Sequence, residues 1–219
     1  MEGKVQGIVR VFLNSDGSKL NSTYIDSTGN KQQATAKANL GSMVNAAVTI
    51  SKAGKSNTIY IAEGIETALS IAQAKLGSTV VAALSVSNLK NVPLSNDIQK
   101  VILCADYDGN NTASNKALIS AAKSYLERGL NVMIAYPAKV PGMIKVDFND
   151  VLKNLGTYSI VKSLQNAIPQ QLSEINKTME SNNSKVQQIT TQKSLEVSKI
   201  TAVNNLNIKK EDRSKELSL

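Results

Sequence analysis

Hydrophobic positions in the middle of the chain predict short strands that alternate with longer helices. Apolar, β-branched runs predict strands at 58–62, 79–84, 100–105 and 131–136. Apolar residues at helical spacing predict helices at 66–76, 113–128 and about 151–167. Strands alternating with helices indicate parallel βαβ units, so we expect an α/β fold with a parallel sheet flanked by helices. Such sheets bind their ligands at the carboxyl ends of the strands.

The start of the chain has a different pattern. Residues 4–13 alternate partly between apolar and polar positions, which predicts a strand, and Asn-Ser-Asp-Gly at 14–17 is a turn signal. Residues 19–25 then predict a second, returning strand. Residues 26–44 are small and polar, and we expect a loop there.

From residue 169 onward the chain is rich in Gln, Asn, Ser, Thr and Lys. Sparse apolar positions in this part allow a weakly amphipathic helix, and a disordered tail is the alternative. We therefore expect a small β-rich N-terminal lead-in, a central α/β domain and a polar C-terminal tail, at 1–55, 56–168 and 169–219.

Charge and hydropathy narrow the class of protein. The formal net charge is +8, and an excess of Lys suits a polyanionic partner such as nucleic acid. No apolar run approaches the ~18 residues that a membrane span needs. The N-terminus has no signal-peptide pattern, so we expect a cytoplasmic protein without a membrane partner.

The residue types present restrict the chemistry. The chain has no His and a single Cys, which excludes Ser-His-Asp and Cys-His catalysis and His-based zinc sites. Cys104 lies inside an apolar run and is expected to be a small buried hydrophobic residue. Carboxylates remain for metal binding, and they prefer Mg²⁺, Mn²⁺ or Ca²⁺.

Two carboxylates follow the predicted strand at 100–105. Asp106 and Asp108 are two positions apart, so in an extended segment both side chains point to the same side and reach one cation. Like charges this close repel unless a cation lies between them, and a hard divalent ion meets that need. The alternative interpretation is an acidic turn without a metal.

Two further acids follow other predicted strands. Glu63 comes directly after the strand at 58–62 and precedes Gly64, which allows a tight turn into the next helix. Asp147 follows the fourth strand, where it either reaches the same crevice or caps the next helix. Both are candidate site residues because they lie where parallel α/β sheets bind ligands.

These segments together resemble the Toprim domain shared by bacterial primases, topoisomerases and some nucleases. The similarity covers about residues 56–164 and lies in four motifs, Ile-Ala-Glu-Gly-Ile-Glu-Thr-Ala-Leu-Ser at 61–70, Val-Ala-Ala-Leu-Ser-Val-Ser-Asn-Leu at 81–89, Ile-Leu-Cys-Ala-Asp-Tyr-Asp-Gly at 102–109 and Val-Asp-Phe-Asn-Asp-Val-Leu at 146–152. The first and last motifs resemble the branch found in primase-like proteins of plasmids, phages and conjugative elements. The resemblance implies a Rossmann-like sheet.

The resemblance also implies roles for the candidate residues. Glu63 matches a general acid/base in phosphoryl transfer, Asp106 and Asp108 match the pair that holds Mg²⁺ (or Mn²⁺), and Asp147 lies on the metal side. Thr67 stands where bacterial primases often have Asp, which weakens a second metal site. The implied activity is nucleotidyl transfer in DNA replication or conjugation, with single-stranded DNA and other replication or conjugation proteins as partners.

Alternatives remain beside this interpretation. Full primases also need a zinc-binding module and an upstream catalytic subdomain, so we expect a truncated or split piece of a larger protein. One alternative is a catalytically inactive Toprim-fold module that binds nucleic acid or acts as a scaffold. Another is a haloacid-dehalogenase-type phosphatase with Asp106 as the nucleophile, which leaves Glu63 without a role.

Overall fold

The computed structural model describes residues 5–74, 77–108, 112–177 and 179 of the chain. The chain divides into two units, 1–171 and 172–219, and the strands and helices described below lie in the first. In the second unit, residues 172–177 are helical. The rest of the predicted helical or disordered tail lies outside the described residues, apart from position 179.

Five short strands precede the central helices. They are β1 (Gly7–Val11), β2 (Thr23–Ile25), β3 (Lys31–Gln33), β4 (Lys37–Gly41) and β5 (Val48–Ser51). β1 pairs antiparallel with β4, and β2 pairs antiparallel with β3. The segment at 19–25 therefore does not pair with β1. It meets the residues that follow β1 instead, through the bridge between Leu13 and Lys19 and a hydrogen bond from the Leu20 N–H to the Phe12 carbonyl oxygen at 2.9 Å. The prediction of a loop at 26–44 is wrong, because β3 and β4 lie there.

The central sheet has six strands in the described structure. Its four inner strands run parallel, namely β6 (Thr58–Ala62), β7 (Thr79–Ala82), β8 (Lys100–Cys104) and β9 (Asn131–Ala135). The antiparallel edge strands are β5 and β10 (Ile168–Pro169), and the spatial order is β10-β9-β8-β6-β7-β5. The predicted α/β class is confirmed. β5 belongs to this sheet although its residues lie in the segment predicted as the lead-in.

Burial on both faces explains why β6 and β8 are continuous apolar runs. After its first residue each of these strands is buried throughout, as expected for parallel strands covered on both sides. Three helices provide cover, α1 (Ile65–Gln73), α2 (Thr112–Glu127) and α3 (Phe148–Gln165). A 3-10 helix at Val86–Asn91 follows β7.

The helices pack in two groups. Ile71 of α1 and Phe148 and Val151 of α3 share one apolar cluster with Tyr60 and Ala62 of β6. α2 packs against the 3-10 helix instead, where the Tyr125 hydroxyl donates to the Leu89 carbonyl oxygen at 2.7 Å. Within the described ranges, no helix has the length and apolar character required to cross a membrane.

Two predicted helix ends differ from the structure. α2 ends before Gly129, which has φ +79° and stops the helix as predicted. α1 ends at Gln73, with Ala74 as its C-cap, so it stops before Gly77. α3 begins at Phe148, earlier than predicted, because Asp147 caps it, and Gly156 interrupts it at φ 77° and ψ 176°.

Candidate active site

The carboxyl ends of β6 and β8 bring the first three predicted acids together. These strands are hydrogen-bonded neighbours, with Ala62 opposite Cys104 at their ends. Glu63 follows β6 directly, and Asp106 and Asp108 follow β8, so all three leave the same edge of the sheet. Their side chains line one cleft, which the 3-10 helix and the start of α2 complete.

A single antiparallel bridge fixes the segment after β8. Tyr107 and Val146 exchange two backbone hydrogen bonds, with N–O distances of 2.8 and 3.0 Å. Residues flanking a bridge face each other across it, so Asp106 lies opposite Asp147 and Asp108 lies opposite Lys145. The Lys145 Nζ is accordingly 3.9 Å from Asp108 Oδ1. The bridge thereby brings the fourth predicted acid to the same edge.

Asp106 has the least compensated charge in this group. Its Oδ1 is buried and accepts no hydrogen bond from the described part of the chain. Burial and, in decreasing order, the carboxylates of Asp147, Glu63 and Asp108 together raise the pKa of Asp106 to about 7. A buried carboxylate oxygen surrounded by negative charge is the environment that a bound cation stabilises.

The Asp108 carboxylate makes a hydrogen bond with one side chain and an ion pair with another. Its Oδ2 accepts a hydrogen bond from Ser114 Oγ of α2 at 3.0 Å, and its Oδ1 lies near the Lys145 ammonium. The side chain of Lys145 is 70% exposed, so the ion pair lies at the rim of the cleft. Weak, solvent-screened pairs of this kind leave the ammonium available to a second anion.

The pKa of Glu63 depends on its burial and on two nearby charged side chains, one of which is Lys37 of the N-terminal lead-in. Burial raises the pKa of Glu63, the nearby Asp108 adds to the rise, and Lys37 opposes it. Lys37 belongs to β4, and its Nζ donates to the Leu84 carbonyl oxygen at 2.9 Å. Leu84 adopts a φ of 73°, which is strained for a branched side chain, and its N–H donates to the Glu63 carbonyl oxygen at 2.9 Å.

Asp147 serves as the N-cap of α3. Its Oδ1 accepts from the Asp150 backbone N–H at 2.8 Å, and Asp150 Oδ2 accepts from the Asp147 N–H at 3.1 Å, which forms a capping box. Thr67 Oγ1 donates to Asp147 Oδ2 at 3.5 Å. The capping alternative is therefore present in the structure, while the metal-side role of Asp147 stays a prediction.

The carboxylates at this edge of the sheet fit one mode of metal binding and not another. Among the residues that the structure describes, no group of three or more His, Cys, Asp or Glu side chains is arranged to hold a metal ion. Mg²⁺ needs fewer protein ligands, because it usually keeps several waters and binds through one or two carboxylates. Asp106 and Asp108 fit that mode, since they supply hard oxygen donors and one donor is buried without a partner.

Sequence patterns did not reveal the cations of this site. Lys37 and Lys145 contact residues far away in the sequence, Leu84 and Asp108. A lysine carries no local pattern that distinguishes it from a solvated one, so only the strand pairing identifies these two. The sequence analysis also missed Ser114, because no local pattern predicts its hydrogen bond to Asp108, six positions earlier in the sequence.

Comparison with known proteins agrees with the motifs. Residues 58–157 match the Toprim domain family. Similar solved structures include a DnaG primase catalytic domain bound to ssDNA, which is 18% identical with a TM-score of 0.41 and covers 57% of this chain and 38% of that one. A DnaG catalytic core is 15% identical with a TM-score of 0.47, covering 80% of this chain and 57% of that one. A DNA primase domain from Pseudomonas aeruginosa is 18% identical with a TM-score of 0.46, and the match covers 73% of this chain and 57% of that one.

This chain thus spans less than two thirds of each of those structures. No curated protein matches it in sequence. The family match includes Glu63, Asp106, Asp108 and Asp147, and it coincides with the parallel part of the sheet. The chain therefore contains a Toprim domain, which spans residues 58–157.

Proposed function

We propose that this Toprim domain performs Mg²⁺-dependent phosphoryl transfer on nucleic acid, as part of a DNA primase-like protein of a mobile or conjugative element. The observation that carries the proposal is the buried, unpartnered Oδ1 of Asp106 within a group of carboxylates at the carboxyl edge of the sheet. An acid is costly to keep in such a place, so a role in cation binding accounts for its presence.

The site residues have distinct roles in this proposal. Asp106 and Asp108 hold the Mg²⁺, which neutralises charge on the transferring phosphate when it is bound. Glu63 acts as the general acid/base, and burial raises its pKa, which makes its carboxylate a better proton acceptor than an exposed one. Lys37 opposes that rise.

The charge of the chain supports a nucleic-acid substrate. The formal net charge is +8, and lysines on the surface attract phosphates without reading sequence. Single-stranded DNA is the proposed partner. Because phosphate contacts are screened by salt, we expect the affinity to fall as the salt concentration rises.

Calorimetric titration of Mg²⁺ and Mn²⁺, with and without single-stranded DNA, tests the metal assignment. The wild type is compared with a variant that carries Asp106→Asn and Asp108→Asn. We expect metal binding in the wild type and its loss in the double variant, since two anionic oxygen donors are removed. Asp97→Asn is the matched control, because Asp97 is an exposed acid that does not line the cleft.

Two results would count against this assignment. Equal metal affinity in the double variant and the wild type would exclude Asp106 and Asp108 as ligands. Loss of affinity in the Asp97→Asn control would show a general charge effect instead of a specific site.

A catalytically inactive Toprim-fold module that binds nucleic acid or acts as a scaffold is the second candidate. It is favoured by the lack of a pre-arranged group of three metal-binding acids in the described residues. It is also favoured by Thr67, because the Thr67 hydroxyl already donates a hydrogen bond to Asp147 Oδ2, an oxygen that a metal would otherwise use. Wild-type protein that binds single-stranded DNA but neither Mg²⁺ nor Mn²⁺ would support this candidate over the enzyme.

A further inference from the structure

An apolar groove lies beside the carboxylate cleft, in the same unit of the chain. Tyr107 and Val146 line it, together with residues of the turn that follows β9, chiefly Val140, Met143 and Ile144. Neighbouring positions on an extended strand face opposite sides. Tyr107 therefore points away from Asp106 and Asp108, so the groove and the carboxylates occupy the two faces of one short ladder.

Three large apolar side chains that line the groove are exposed to solvent. Ile144 is 82% exposed, Tyr107 is 45% exposed and Met143 is 40% exposed. Contiguous apolar exposure of this kind marks a binding surface more often than a scattered single residue does. Pro137 and Pro141 also line the groove, and their fixed φ angles restrict its backbone. The groove is therefore available without a large rearrangement.

The one charged side chain in the described lining of the groove is that of Lys139, which is positive. Lys145 lies on the other face of the ladder, at the rim of the carboxylate cleft, where its ammonium is near Asp108. The described lining contains no acidic side chain. A ligand that presents an apolar face to the groove and carries negative charge along its backbone complements both features. An uncharged apolar peptide complements only the first.

We infer that this groove stacks an unpaired nucleobase of the strand whose phosphate lies at the carboxylate cleft. The inference deepens the proposed function and rests on it. Bases present flat apolar faces that stack on aromatic side chains, with little dependence on sequence. Lys139 in the groove lining and Lys145 at the rim of the cleft each meet a phosphate of a strand that passes from the cleft to the groove.

This arrangement specifies the strand type of the substrate. In a duplex the faces of each base are covered by its neighbours, so a base must be unpaired and unstacked to enter the groove. The site therefore selects single-stranded nucleic acid, or a strand that is already splayed, over an intact duplex. The selection follows from the groove and needs no recognition of base edges.

Fluorescence anisotropy with end-labelled single strands tests the inference. The full chain is titrated in Mg²⁺ buffer against an oligothymidylate, an abasic strand of the same length and the oligothymidylate annealed to its complement. We expect the oligothymidylate to bind more tightly than the other two, because only its bases are free to stack.

Variants locate the stacking in the groove. Tyr107→Ala and Ile144→Ser each weaken oligothymidylate binding by about tenfold, and neither changes abasic-strand binding. Tyr107→Phe retains the wild-type affinity, since the ring is kept. Tyr158→Ala is the matched control, because Tyr158 is an exposed tyrosine, at 77%, that does not line the groove. It leaves both affinities unchanged.

Other outcomes overturn the inference. Wild-type oligothymidylate affinity in both Tyr107→Ala and Ile144→Ser would assign the groove to another ligand, such as an apolar peptide. An equal loss for both strands would indicate contacts with the sugar-phosphate backbone alone.

The same measurements separate this inference from the proposed function. Mg²⁺ binding without any base dependence in the wild type would overturn the groove assignment alone. Base dependence in a wild type that binds neither Mg²⁺ nor Mn²⁺ would support the groove and count against the catalytic proposal.

Discussion

Asp106 shows that the requirements of stability and of the proposed function conflict at a single residue. Its buried oxygen has no hydrogen-bond donor among the described residues, and four carboxylates, those of Asp147, Glu63, Asp108 and Asp150, raise its pKa further. The Tyr107–Val146 bridge holds the backbone in place, so the side chain cannot relieve the repulsion by a simple shift of the strand. The acid is therefore either protonated or in need of a cation.

The raised pKa of Asp106 predicts how stability depends on pH. The pKa is 3.8 for an ordinary Asp and about 7 in the folded protein, so folding favours the protonated form. The contribution of this proton is complete below the ordinary pKa and is lost as the pH rises through about 7. Without divalent cations, we expect a wild-type melting temperature that falls between about pH 5 and about pH 8.

Asp106→Asn removes this contribution to the pH dependence. We expect the variant to be more stable than the wild type at about pH 8, on the order of 4 kcal/mol at most. Added Mg²⁺ should raise the melting temperature of the wild type and not that of the variant. Thermal unfolding at the two pH values checks both expectations. A pH dependence that is the same in both proteins would contradict the shifted pKa.

At the same scale, the sequence predicted which acids meet at this edge of the sheet but not their environment. Glu63, Asp106 and Asp108 were identifiable because each follows an apolar run that had to be a buried strand. The neighbours that determine their charge were not, because Lys37 and Lys145 approach through pairings between distant segments. Local sequence patterns identify the residues that follow a strand, whereas the pairing of distant segments determines which side chains contact them.

The N-terminus of α3 combines a structural role with a place beside the site. Asp147 completes a capping box with Asp150, and it also contributes more than any other charge to the raised pKa of Asp106. An N-cap carboxylate is favoured by the helix dipole, so the helix holds this negative charge beside Asp106. The two roles can be separated by substitution.

Substitution of Asp147 by Asn and by Ala distinguishes capping from charge. Asn caps helices about as well as Asp, so Asp147→Asn should retain stability, while Asp147→Ala loses about 1 kcal/mol. Both remove the negative charge, so Mg²⁺ affinity falls equally in the two variants if the carboxylate supports the metal. Urea unfolding and calorimetry measure these effects. Unchanged Mg²⁺ affinity in both variants would confine Asp147 to capping.

Elements with a continuous apolar pattern were predicted well, and elements without one were not. The four parallel strands and three helices were found with small errors at their ends, because burial on both faces demands uninterrupted apolar residues. β3 and β4 were missed, since their side chains are mostly polar and exposed. β5 was missed because its membership of the sheet depends on pairing with β7, which no local pattern encodes.

Across the whole first unit, the lead-in is joined to the central sheet by specific contacts. β5 pairs with β7, and buried Asn88 links the same region through its side chain. Asn88 Nδ2 donates to the carbonyl oxygens of Ala46 at 2.6 Å and Ala83 at 2.8 Å, and its Oδ1 accepts from Asn45 N–H at 3.1 Å. Lys19 and Glu66 add an ion pair at 3.2 Å.

Asn88→Ala tests how far these contacts stabilise the unit. It leaves three backbone groups without their partner, so we expect a loss on the order of 2–4 kcal/mol in the free energy of unfolding. Ser87→Ala is the matched control, because Ser87 is exposed beside it, and it should change stability by less than about 0.5 kcal/mol. Urea unfolding gives both values. An Asn88→Ala midpoint equal to that of the wild type would show that β5 alone suffices.

The Tyr107–Val146 bridge also limits which changes of chain length this fold accepts. A slip of one residue would exchange the two faces of the ladder, so Val146 would meet the acids and a charged neighbour would enter the groove. The turn between β9 and the bridge contains Gly142 at φ 79°, where residues can be added or removed without altering that register. Among relatives of this chain that keep the groove, we expect changes of chain length at the position of Gly142 and none within 143–147.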